Sequence, residues 1–301
     1  MTTQPPIPKG MDPASVSKLA LSPGTTVVGV IGDPVAHSLS PRLHNLAFAH
    51  LGLDWVSVGF RVVEGDAPAA LVGARALGIK GLSVTMPHKA EVAAHVDRLT
   101  EIAERVGAVN CVTNVDGVLT GDNTDGRGLV EALRRGGHFD PEGRRCLVVG
   151  AGGAARSVIA ALADAGASEV VVVNRTRERA MTAAALAGAV GRVGDPDDVS
   201  GSDLVVNATP TGMAAASSPA SASPDRWALD PARLGPNQLA VDLVYHPAVT
   251  PWLEAARSRG AEVLNGLGML VHQAALQLET WTGQEPPVDA MWRAIGEFIA
   301  E

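Results

Sequence analysis

Apolar positions in this chain come in short bursts, few of which, such as 55–62, alternate with polar ones, and polar or glycine-rich turns separate the bursts. Residues 26–31 (TVVGVI) form a β-branched run ending in Gly-Asp-Pro, which predicts a buried strand and then a loop. A helix from Pro41, a strand over 55–62, a helix over 67–77 and a strand over 81–85 cut off by Pro87 follow. One helix is expected over 90–105. Strands over 108–115 and 118–120 flank Asp116-Gly117, a pair suited to a two-residue hairpin turn. The loop GDNTDG then opens a helix to about residue 135.

A second βα series begins at 146–149 and continues through 170–173, 203–207, 239–243 and 262–264. Strands this short and unalternating are expected in a parallel sheet buried on both faces. The polar stretch 136–145 separates the two series, placing a boundary near 125–143. Residues 1–22, Pro-rich and without an apolar run, are expected to form a flexible leader, and 214–224 (AAASSPASASP) a mobile surface insertion.

At 301 residues the chain accommodates two domains. Aromatic residues make up only 3%, so the core must be built from small aliphatic side chains. With 32 acidic against 24 basic residues the net charge is -8, which disfavours nucleic acid as a partner and requires any anionic ligand to be gripped locally. The two cysteines, Cys111 and Cys146, suit neither a disulfide framework nor a metal site, and no metal is expected. No apolar run approaches the roughly 20 residues of a membrane helix, and no secretory signal opens the chain, so a cytoplasmic protein is expected.

The sharpest local motif is CLVVGAGGAARS. Gly150, Gly152 and Ala155 occupy the small-residue positions of a dinucleotide fingerprint between a strand and a helix, with Ala151, Gly153 and Ala154 in the same turn. The helix amides and dipole there favour a pyrophosphate. After the next strand, where an NAD site would carry an acid, the sequence reads VVVNRTRER. Asn174, Arg175, Thr176 and Arg179 stand there instead, and a guanidinium can pair with a 2′-phosphate, which points to NADP.

Three polar loops in the amino-terminal half each follow an expected strand: 37–41 (HSLSP), 83–89 (SVTMPHK), and 108–111 (AVNC) with 121–126 (GDNTDG). Together with N-R-T at 174–176 and G-M-L-V-x-Q at 268–273, they resemble the shikimate dehydrogenase family, in register from residue 28 to 281. The resemblance implies an α/β plan: a substrate-binding catalytic domain (23–124 and 266–301) beside a Rossmann-like, doubly wound NADP-binding domain (125–265), with the carboxy-terminal helices returning to the first. It implies reversible NADP-dependent oxidation of shikimate to 3-dehydroshikimate, with Lys89 and Asp125 at the reacting hydroxyl. An amine beside a carboxylate can take the hydroxyl proton as hydride departs. Implied substrate contacts are Ser38, Ser40, Ser83, Thr85, Lys89, Asn110, Asp125, Tyr245 and Gln273, and Ala208, Thr209, Gly266 and Met269 complete the cofactor face. The chain departs from the family pattern at Ser83, where Asn is commoner, at Cys111 and in the 214–224 segment. His88 and His272 flank pocket residues without a partner pattern and read as bystanders. A quinate/shikimate dehydrogenase with relaxed cofactor or substrate choice is the nearest alternative; a noncatalytic NADP-binding sensor and a folate-type dehydrogenase are further ones. Either a monomer or a homodimer is compatible with the sequence.

Overall fold

The computed structural model describes residues 21–212 and 229–300. The first half forms β1 (Thr26–Gly32), α1 (Ser40–His50), β2 (Trp55–Arg61), α2 (Ala67–Ala76), β3 (Gly81–Val84), α3 (Lys89–Ala93), β4 (Arg98–Leu99), α4 (Glu101–Val106), β5 (Cys111–Val115) and β6 (Val118–Asp122). Its six strands lie in the order β2-β1-β3-β5-β6-β4. The β2-β1-β3 portion is parallel, whereas β5 runs antiparallel to β3 and β6. The β5–β6 turn forms as the sequence predicts, because Asp116 (φ 51°) and Gly117 (φ 84°) both take the positive φ a type I′ turn needs.

The single helix expected over 90–105 is replaced by α3, the short strand β4 and α4. Backbone pairing with β6 breaks the helix: Asp97 N donates to Leu119 O at 2.9 Å and Thr100 N to Gly121 O at 2.9 Å. Thr100 then caps α4, its hydroxyl oxygen accepting from Ala103 N. Sheet pairing and a cap together outweigh helical spacing here.

The second half forms α5 (Asp125–Gly136), β7 (Arg145–Val149), α6 (Gly153–Asp164), β8 (Glu169–Val173), α7 (Arg177–Ala184), β9 (Gly191–Val193), β10 (Leu204–Asn207), β11 (Leu239–Asp242), α8 (Pro251–Ser258) and β12 (Glu262–Leu264). This sheet is entirely parallel, in the order β12-β11-β10-β7-β8-β9. Cys146, Val148, Val170 and Val172 point into one core and Leu147, Val149, Val171 and Val173 into another, which is why these strands show no alternation. No local pattern announced β9, whose three residues are only half-buried. All but the last two residues of the expected leader, and the whole 214–224 insertion, lie outside the described residues.

Two helices, α9 (Leu267–Thr282) and α10 (Val288–Ala300), return to the first sheet. Val271, Ala274, Leu278 and Trp281 of α9 share a core with Val28, Leu43, Phe48 and Cys111. Helix α5 is wedged between α6 and α9. A Cβ at Gly126 would lie 2.3 Å from Ser157 O, and one at Gly128 would lie 2.7 Å from Gln273 N, so only glycine permits this approach.

Candidate active site

Lys89 opens α3 just beyond β3, and Asp125 opens α5 just beyond β6, so two strand ends deliver them to one place. Lys89 Nζ stands 2.5 Å from Asp125 Oδ2, with the side chains 17% and 5% exposed. Asn110 Nδ2 donates to the other carboxylate oxygen, Oδ1, at 2.7 Å. Asn110 is itself held: its Oδ1 accepts from Thr124 N at 2.8 Å, and its Nδ2 also reaches Thr124 Oγ1 and Gln273 Oε1. Asn123 ties the same two loops together, donating to Ala108 O at 2.9 Å and accepting from Asp125 N at 3.1 Å. An ammonium and a carboxylate locked in contact at a cleft can bind a hydroxyl and accept its proton.

Ser83 and Thr85 lie at the end of β3, and Ser38 and Ser40 at the start of α1. Ser40 N donates to Ser38 Oγ, but the hydroxyls of Ser40, Ser83 and Thr85 donate to no partner among the described residues. Tyr245 crosses from the end of β11 to pack on the first sheet's core, which includes Leu39. Burial pushes the Tyr245 phenol upward from its ordinary value. Lys89, Asp125, Asn110 and Gln273 are therefore joined directly, while Tyr245 meets the 37–41 loop.

The glycine turn lies against this group. A Cβ on Gly153 would sit 3.4 Å from the Lys89 side chain, whereas one on Gly152 would meet nothing within 4 Å. Gly150 takes φ +116°, where a Cβ would press on Ala208 O at 3.0 Å. Ala151 and Ala154 complete the turn into α6, and Ala155 is fully buried beneath it. Asn174 donates to Thr176 O at 2.9 Å, shaping the bend before α7. Arg175 and Arg179 are exposed and pair with no described residue. Thr209 Oγ1 donates to Asn207 Oδ1 at 2.7 Å; Gly266 is forced by Leu243 O, 2.1 Å from where a Cβ would be; and Met269 is buried in the second sheet's core. An open amide-lined turn beside unpaired guanidiniums fits a phosphorylated dinucleotide.

Sequence pattern alone did not single out Asp242 or Arg156. Asp242, fully buried at the end of β11, accepts from Asn207 Nδ2, Val244 N and Thr250 Oγ1, yet burial raises it to about 6. Arg156 of α6 donates to Gly107 O at 3.1 Å, and burial lowers it from its ordinary value. Asp242 stands inside an apolar strand run, and that was its only available signal. His88 turns away from the pair toward Val62 O at 2.7 Å, and His272 meets Trp292 edge-on. Cys111 and Cys146 are buried, and burial pushes the Cys146 thiol up to about 12. Among the described residues no three His, Cys, Asp or Glu side chains gather as a metal site, and no helix is long and apolar enough to cross a membrane.

A parallel dinucleotide-binding sheet whose glycine turn abuts a Lys–carboxylate pair defines a nicotinamide-dependent dehydrogenase acting on an alcohol carbon. Comparison with known proteins narrows the class. Residues 30–112 match the shikimate dehydrogenase substrate binding domain, 132–210 the shikimate / quinate 5-dehydrogenase family, and 266–295 the shikimate 5′-dehydrogenase C-terminal domain. Shikimate dehydrogenase (NADP(+)) of Moorella thermoacetica is 45% identical over 285 residues, 91% of this chain and 94% of the relative. The shikimate 5-dehydrogenase of Thermus thermophilus, solved with NADP(H) and shikimate, superposes with a TM-score of 0.81 at 37% identity, covering 90% of this chain and 99% of that one. Quinate dehydrogenase from Corynebacterium glutamicum, solved with NAD, gives a TM-score of 0.80 at 30% identity, covering 91% and 99%. The chain belongs to the shikimate dehydrogenase family.

Proposed function

We propose that this chain catalyses the reversible NADP-dependent oxidation of shikimate to 3-dehydroshikimate. The observation that carries the reading is the Lys89–Asp125 contact, locked by Asn110 and set against the glycine turn. Lys89 and Asp125 bind the reacting hydroxyl and take its proton as the carbon loses hydride. NADP, when bound, supplies the hydride acceptor. Gly150 to Ala154 and the start of α6 hold the pyrophosphate, Asn174, Arg175, Thr176 and Arg179 hold the 2′-phosphate end, and Ala208, Thr209, Gly266 and Met269 border the rest of the cofactor. Uncommitted hydroxyls of Ser40, Ser83 and Thr85, with Ser38 and Tyr245, receive the acid's carboxylate and ring hydroxyls, while Asn110 and Gln273 present amides.

On this reading residues 23–124 and 266–301 form the substrate-binding part and 125–265 the cofactor-binding part. A monomer or a homodimer is compatible with this reading. The two unpaired, buried thiols suit a reducing cytoplasm. A broader quinate/shikimate dehydrogenase shares the Lys–Asp pair, and the likeness to a quinate dehydrogenase favours testing it. The test is a two-by-two assay of shikimate and quinate with NADP and NAD, followed by absorbance of the reduced nicotinamide. Shikimate with NADP should give the largest kcat/KM. A larger value for quinate with NAD would overturn the reading.

A further inference from the structure

Gln277 lies one turn beyond Gln273 on the inner face of α9 and is fully buried among apolar neighbours. Burying an amide is unfavourable unless its hydrogen bonds are made, and here only half of them are. Oε1 of Gln277 has no hydrogen-bond partner. His44, likewise unpartnered at Nε2, is the neighbouring ring, and burial lowers it to about 3, leaving it neutral. The satisfied half of Gln277 points to the active site. Its Nε2 donates to Asn110 O at 2.9 Å and to Gln273 Oε1 at 2.9 Å.

Those two bonds close a circuit. Gln273 Oε1 receives Gln277 Nε2 and Asn110 Nδ2, and Asn110 Nδ2 also reaches Asp125 Oδ1. Asn110 is thus gripped at its backbone by Gln277 and at its side chain by Gln273. For packing alone, an apolar residue would serve this position better than an amide with one end unsatisfied. We propose that Gln277 is a positioning residue for the reaction: it fixes Asn110 and Gln273, and through Asn110 the carboxylate of Asp125, without touching substrate or cofactor. The inference rests on the reading that Asp125 and Lys89 handle the reacting hydroxyl.

The near-isosteric Gln277→Met removes the donor and keeps the volume. Because it also removes an unsatisfied buried acceptor, its melting temperature should stay close to that of the parent. Misplacing a reacting group slightly is enough to slow turnover strongly, so kcat with shikimate should fall about 10- to 100-fold, while the NADPH dissociation constant, read by fluorescence titration, should stay within about twofold. A double variant with Gln273→Met should lose clearly less turnover than the product of the two single losses, because both hold the same Asn110. Full turnover in Gln277→Met, or multiplicative losses in the double variant, would overturn the proposal. If Gln277→Met did not fold, Gln277→Ala would be read in the same way. A parent enzyme that turns over no shikimate would instead defeat the functional reading itself, before any variant is compared.

Discussion

The two sheets share a βα rhythm but use their polar groups in opposite ways. At the strand ends of the first sheet, the amides and charges of Asn110, Thr124, Asp125, Lys89 and Gln273 are bonded to one another. The corresponding ends of the second sheet leave Arg175 and Arg179 unpaired, while its opposite edge is densely paired: Arg145 and Arg192 both bind Glu169 and Asp198. Reacting groups must already be in place when substrate arrives, so the protein supplies their partners. A phosphate brings its own charge, so the residues that meet it can wait in solvent. On the proposed reading the unpaired cations at the carboxyl ends of the second sheet wait for a ligand, while the paired ones across the sheet hold its strands together.

The contrast fails first if the paired end is dispensable. Lys89→Ala and Asp125→Asn should each lower kcat by about 100- to 10,000-fold and alter shikimate binding far less, as expected for a proton-transfer partner. Near-normal turnover of Lys89→Ala at saturating shikimate would remove its role.

Asp242 sharpens the contrast within the second sheet, because it is paired and buried yet still raised to about 6. Its native pKa exceeds the unfolded value near 4, so the folded protein keeps this proton longer and its stability falls as pH rises from about 4 to about 6. The full contribution is up to about 3 kcal/mol, from roughly 2 units at about 1.4 kcal/mol each. Asp242→Asn should lose that slope, so urea unfolding at pH 4.5 and 7 should show the variant gaining on the parent at the higher pH. Parallel profiles would contradict the assignment. Asp198, held near 2 chiefly by its bond with Arg192, acts in the opposite direction and only below about pH 4.

The solvent-facing end is tested by neutralising Arg175 and Arg179 together. KM for NADP should rise roughly 30-fold, with little change for NAD, since charge-assisted bonds to the 2′-phosphate are lost from NADP alone. Equal losses with both nucleotides would mean that the arginines serve adenine or the fold. The smallest effect belongs to Ser83→Asn. One neutral hydrogen bond is worth about 0.5 to 1.5 kcal/mol, so KM for shikimate should move by no more than about tenfold. Because a serine hydroxyl reaches less far than the commoner Asn amide and so leaves room in the pocket, the ratio of kcat/KM for shikimate over quinate should rise in Ser83→Asn, and an unchanged or lower ratio would refute this.

The second sheet was the more legible half in the sequence, because uniformly apolar strands such as Val170 to Val173 feed two cores at once and leave little ambiguity. The 90–105 region misled because Asp97 and Thr100 find their partners on β6, and no local spacing announces a distant edge. β9 was missed for the same reason: only pairing with β8 makes Gly191–Val193 a strand. Among site residues, Lys89, Asp125 and Asn110 lay in motif loops and could be read directly. Gln277 and Asp242 could not, because each stands in an apolar stretch where only the fold reveals which polar group it meets.

The chain passes between the sheets twice, after Asp122 and after Leu264, and the crossings are stitched together where Thr124 Oγ1 donates to Gln273 O at 3.1 Å. These two crossings and the bond between them tie the halves together next to Asp125, so its carboxylate stands where both halves are held in common.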